Sequence, residues 1–143
     1  MAASLPRVRR PGAEWLVAGM AAALLVAWPI LLRVRPLPRL IPHGVPRWPG
    51  VRSVPPGRAA ALVHGVAARL PWPPGCLARA LTEAWVLAST GARGRLVIGV
   101  TPPGAPFDAH AWFEVQGGPS PLPRPDPWCP VVSWPIPVPR SRT

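Results

Sequence analysis

The sequence predicts an α+β domain in which a helix that starts at a cysteine packs on a small antiparallel sheet, with an apolar helix ahead of both. Three observations carry this reading. Residues Cys76 to Thr90 repeat apolar side chains at helical spacing, with Leu77, Leu81, Ala84 and Ala88 on one stripe and Trp85 beside it. Leu96-Val97-Ile98-Gly99-Val100 and Ala109-His110-Ala111-Trp112-Phe113-Glu114-Val115 read as two strands, separated by the turn Thr101-Pro102-Pro103-Gly104. Trp15 to Leu32 is one uncharged, apolar run.

Taken in order, the elements divide the chain into four stretches. Residues 1–33 hold the apolar helix, with Arg7, Arg9 and Arg10 before the run and Arg33 and Arg35 after it. The run is near the lower length limit for a bilayer span, and basic residues on both sides give no orientation. No small-residue cleavage site follows, as a signal peptide would require. Packing on the domain, lying in a membrane interface and spanning are three readings that the residues leave open. Pro29 predicts a kink near the helix end. Residues 34–56 alternate Pro and Arg and read as a linker of polyproline character, with His43 inside it.

Residues 57–134 read as the domain itself. Arg58 to Leu70 repeat Ala59, Leu62, Val63, Val66, Ala67 and Leu70 at three- and four-residue spacing, a short helix with His64 on its solvent side or at a cap. Pro71, Pro73 and Pro74 end it and force an extended approach to Cys76. Trp72, in that approach, reads as a buried aromatic rather than a groove wall. Gly91 is placed to cap the Cys76 helix. Beyond Gly117 the chain is studded with proline, which restricts any strand there to an edge near Val131 to Trp134. Residues 135–143 read as a Pro/Arg-rich tail.

Composition bounds the partners. The 143 residues carry 25 prolines, 16 basic residues that are all Arg, and a net charge of +11. The arginines are scattered from Arg7 to Arg142 rather than gathered into a stripe with aromatic context, which argues against a nucleic-acid reader. A basic surface suits an acidic peptide or an anionic lipid surface. Two cysteines and three histidines fit no zinc-site spacing, so no metal is expected. A Cys76–Cys129 bridge stays open, although one bridge is no secreted disulfide framework.

The chemistry converges on Cys76 and His110. A helix start offers unpaired N–H groups and the positive end of the helix dipole, which favour a thiolate. An imidazole on a neighbouring strand can take the thiol proton and return it to a leaving amine. The same N–H groups can hold an oxyanion. Gly75 leaves room for a substrate backbone, and Trp112 reads as a wall of the cleft or a core aromatic.

The run Gly75-Cys76-Leu77, a helix, a Gly turn, Leu96-Val97-Ile98-Gly99-Val100 and then Ala109-His110-Ala111-Trp112-Phe113-Glu114 resembles the transglutaminase-like leader peptidase of lasso-peptide biosynthesis. That enzyme is the stand-alone form of the C-terminal half of the microcin-type B protein. The likeness covers about Pro55 to Val115 and extends to the apolar N-terminal stretch followed by Arg33-Val34-Arg35-Pro36-Leu37-Pro38. It implies a papain-like fold of transglutaminase type and a cysteine protease that cuts the leader from a ribosomally made precursor peptide. It implies a separate leader-binding protein that delivers the substrate and a cyclase that acts on the freed amine. No cofactor is implied, and the setting is cytoplasmic, with membrane association left open. Carried over by motif, Cys76 matches the nucleophile and His110 the base.

For a third catalytic member the chain offers 5 acidic residues, Glu14, Glu83, Asp108, Glu114 and Asp126, of which Glu14 lies too far from the motif to nominate. Glu83 sits two turns beyond Cys76, roughly 10 Å along the axis. Glu114 shares a strand face with His110 about 13 Å away, and Asp108 lies in the entering loop about 7 Å away. In the resembling family the acid follows the histidine on the returning segment, usually after a shorter interval than the one here, which Pro119, Pro121, Pro123 and Pro125 occupy. Asp126 is therefore the first candidate and Asp108 the second. Two other readings compete with the protease: a catalytically degenerate peptide-binding module, and a small membrane-anchored scaffold with proline-rich arms.

Overall fold

The computed structural model describes residues 12–44, 50–116 and 128–138. Its first element, α1 (Ala13–Val34), is a 22-residue helix that continues through Pro29. Every third or fourth residue, Ala13, Val17, Ala21, Leu25 and Trp28, turns inward. A short helix α2 (Leu37–Leu40) and a 3-10 turn at Val51–Ser53 lead to α3 (Pro56–Arg69), which has proline in its first turn, where a missing N–H costs nothing. Next comes α4 (Cys76–Ser89). Three strands complete the order: β1 (Gly94–Val100), β2 (Ala109–Val115) and β3 (Cys129–Ile136).

The strands form one antiparallel sheet in the order β2-β1-β3. The class read from sequence is the one observed: helices on a small three-stranded antiparallel sheet, with an apolar helix at the N-terminal side. The strand expected near Val131 to Trp134 is longer than anticipated and lies at the edge, where Pro130 and Pro135 remove ladder donors at least cost.

Helix α4 is central because it is apolar nearly all round. Ala78, Ala80, Leu81, Ala84, Val86, Leu87 and Ala88 are buried, and the helix packs on β1 and β2 as well as on α1 and α3. It ends at Gly91, whose φ of 89° lets the N–H of Ala92 reach Leu87 O and its own N–H reach Ala88 O, both at 3.0 Å. That is the Schellman arrangement the glycine predicted.

The structure differs from the sequence reading over the described residues 34–44 and 50–56. Leu40, Ile41, Val51 and Val54 are buried in the same core as α3 and α4. The Trp85 indole N–H donates to Leu40 O at 2.7 Å. His43 forms a parallel bridge with Val138, and the Val138 N–H donates to Pro42 O at 2.8 Å. A Pro/Arg-rich composition conceals these anchors because the apolar residues that pack are single and aperiodic. Helix α1 belongs to the same core: its Trp28 indole donates to the buried Thr82 hydroxyl of α4 at 3.1 Å.

Candidate active site

Cys76 is the first residue of α4, with Gly75 as the cap residue in an extended conformation. The chain enters this helix start through Pro73 and Pro74, which hold the approach extended. Cys76 is half-buried and packs against the edge of the core, leaving its thiol at the end of the helix where N–H groups lack intrahelical partners. Space in front of Gly75 is empty: a Cβ built there meets nothing within 4 Å. Its φ of −64° is one that any residue adopts, so the opening is spatial rather than conformational.

His110 sits near the start of β2, opposite Gly99 of β1. Its ring stacks on two indoles, Trp128 at 5.2 Å between centroids and 23°, and Trp112 at 6.1 Å and 22°. Gly99 makes this possible, because a side chain there would place its Cβ 2.7 Å from Trp112 Cη2. Trp112 is a buried aromatic whose indole N–H donates to Glu114 Oε1 at 3.0 Å. It stacks beside the histidine on the strand face opposite Ala111 and Phe113. Trp128, just ahead of β3, escaped the sequence reading. Its signal was the aromatic in Pro127-Trp128-Cys129-Pro130, inside the proline-studded stretch beyond Gly117.

Burial is the first cause that holds the His110 pKa below its ordinary 6.5, and the Arg79 guanidinium is the second; the Asp108 carboxylate pulls the other way. Arg79 lies on α4 one turn beyond Cys76, so the first turn of α4 contributes to the charge felt by His110. Along β2, Ala111 and Phe113 enter the core that α4 shares, while His110 and Trp112 alternate to the other face of the strand. No hydrogen bond joins the Cys76 thiol to the His110 ring among the described residues; such contacts commonly close only when substrate binds.

Of the candidate acids, Asp126 lies outside the described residues. Asp108 is exposed and turns its carboxylate to the Ala109 N–H at 2.8 Å, and Glu114 serves Trp112. Glu83 is buried, with its Oε1 2.5 Å from Nε2 of His64, off the line of a hydrogen bond. His64 is thus half-buried against a carboxylate, where the sequence reading had it facing solvent or capping the helix. Helical spacing alone did not show that α3 and α4 cross there.

A cleft of about 400 Å³ opens on the α3 side of the Cys76 helix start. Its walls include His64, Trp72, Pro73, Pro74 and Arg79. Trp72 is half-exposed in this wall, not buried as expected, because the prolines on either side hold the segment away from the core. Cys76 and His110 are not among the lining residues, whereas Arg79, one turn beyond Cys76, is. Cys76 and Cys129 are not bridged. Among the described residues no group of three His, Cys, Asp or Glu side chains is placed to share a metal ion.

No curated protein and no solved structure matches the chain. A family model does: the one described as Transglutaminase-like superfamily matches residues 17–126, a span that runs from α1 past His110 and contains Cys76. A cysteine at a helix start, a histidine on the adjoining antiparallel sheet and a match over most of the length agree, and the chain belongs to the transglutaminase-like superfamily.

Proposed function

We propose that the chain is a cysteine peptidase that removes the leader from a ribosomally made, lasso-type precursor peptide. The observation that carries the reading is the start of α4 at Cys76, within a family match that also spans His110 on β2; burial favours the neutral form of the His110 ring. Neutral imidazole is the form a general base needs.

The steps balance without a cofactor. His110 takes the thiol proton as Sγ of Cys76 attacks the scissile carbonyl, and N–H groups of the first α4 turn hold the oxyanion. The C–N bond breaks, His110 returns the proton to the leaving amine, and an acyl-thioenzyme remains. Water then attacks while His110 accepts its proton; the C–S bond breaks and the proton goes back to sulfur. The empty space before Gly75 admits the substrate backbone, and the cleft at Trp72 and Arg79 receives side chains flanking the cut. Asp126 is proposed to orient His110.

The choice of a lasso-type precursor rests on the Gly75-Cys76-Leu77 and His110-Ala111-Trp112 motifs. It brings two partners: a leader-binding recognition protein that raises the local concentration of the cleavage site, and a lasso cyclase that consumes the freed amine. Cleavage of precursor is measured with and without the leader-binding protein, over a series of free-leader concentrations. Cys76→Ala should abolish cleavage while Cys129→Ala retains most of it. The partner should accelerate the reaction, and free leader should reverse that gain. Full rate without a partner would contradict delivery. Precursor binding by the wild type with no cleavage under any condition would favour the peptide-binding module.

A further inference from the structure

Helix α1 has two apolar faces, and the domain covers one. Ala13, Val17, Ala21, Leu25 and Trp28 are buried, while Trp15, Leu16, Val26, Ile30 and Val34 are exposed, Trp15 to 83% and Ile30 to 67%. A surface helix normally turns charged residues outward. Here Glu14, in the first turn, pairs with Arg58 at 3.1 Å, and Arg33 lies in the last turn. Between them the helix is uncharged, with a mean hydropathy of 2.2 over its most apolar window. The open apolar stripe from Trp15 to Val34 is about 28 Å long, a feature that marks an interaction surface.

We propose that this face docks on an anionic lipid surface, with α1 lying in the plane of the interface while its other face stays in the core. Charge selects this occupant. Exposed Arg33, Arg35 and Arg39 bound the C-terminal end of the stripe, and the sequence puts Arg7, Arg9 and Arg10 ahead of it. Cations flanking an apolar helix face are drawn to anionic headgroups, and an indole such as Trp15 suits the boundary between tails and headgroups. A second copy would bring two chains of net charge +11 together. A transmembrane path does not fit the packing. Helix α1 lies against α3 and α4, so crossing would drag Arg58, Arg69 and Arg79 into hydrocarbon or break the Trp28–Thr82 hydrogen bond and strip the core.

The test is flotation of the full chain with vesicles of phosphatidylcholine alone and of phosphatidylcholine mixed with phosphatidylglycerol. Binding should require the anionic lipid, weaken with salt, and be released by alkaline carbonate. Trp15→Ser with Ile30→Ser changes exposed positions only; it should lower affinity by at least about tenfold with an unchanged melting temperature. Arg33→Gln and Arg35→Gln should each lower it about fivefold. Cys76→Ala should bind as the wild type does, which separates this surface from the cleavage chemistry. Retention through carbonate would mean a span and overturn the proposal. So would equal binding by the Trp15/Ile30 variant, or absence of vesicle binding by a chain that self-associates in the ultracentrifuge.

Discussion

The His110 ring lies against Trp128 and Trp112, which remove part of the water that would solvate an imidazolium. Arg79 adds a positive charge to the same side of the balance, and Asp108 subtracts from it. The neutral ring is the working base, so activity should rise as pH passes upward through the His110 pKa. The acid limb of kcat/KM should therefore have its midpoint below 6.5. Removing either lowering cause, by Trp128→Ala or Arg79→Gln, should move that limb to higher pH; Asp108→Asn should move it lower. A pH–rate profile of each variant checks the three directions, and an unmoved limb in all of them would detach His110 from the rate. Gly75 yields a different kind of prediction, because the space before it is open and its backbone is ordinary. Gly75→Val should cost about 1 kcal/mol of stability, because valine is a poor helix cap, yet lower kcat/KM by at least about tenfold through blocked approach. Thermal melts and peptide cleavage on the same preparation separate the two effects.

At the scale of elements, the contact between β1 and β2 sets where the histidine ring can lie. Gly99→Ala would place its new Cβ 2.7 Å from Trp112 Cη2 and 2.9 Å from Cys129 O, so both the indole and the β1–β3 register would have to shift. A loss of about 1–3 kcal/mol in stability is expected from such overpacking, together with a disturbed acid limb; denaturant melts and the pH profile measure both. The elements that carry the site were legible because periodicity reports burial directly. The Cys76 helix, its Gly91 cap and the first two strands announce themselves through three- and four-residue spacing, a glycine stop and short apolar runs. What was not legible depends on tertiary contact. Trp128 lies in a proline-rich stretch whose pairing with β1 no local pattern encodes, and the His64–Glu83 contact requires knowing where α3 crosses α4. Asp126, the acid favoured from sequence, lies outside the described residues, so its role stays a proposal that Asp126→Asn kinetics can decide.

For the molecule as a whole, α1 is structural as well as a surface. Its Trp28 is buried and hydrogen-bonded to α4, and Val17, Ala21 and Leu25 are buried on a helix that packs against both α3 and α4. Trp28→Ala should cost about 3–5 kcal/mol, and a chain deleted through residue 34 should lose its cooperative melt, as circular dichroism would show. A truncated chain that melts like the full one would mean that α1 is an appendage. Activation of Cys76 by His110 is open to test by iodoacetamide alkylation, because exposure and activation order the two thiols oppositely. Cys129 is exposed and Cys76 only half-exposed, so accessibility alone makes Cys129 the faster thiol. With His110 as its base, Cys76 should react faster at neutral pH, as read by peptide mass spectrometry, and His110→Ala should remove this advantage while leaving Cys129 unchanged. Faster labelling of Cys129 in the wild type, or a Cys76 rate indifferent to His110, would contradict it.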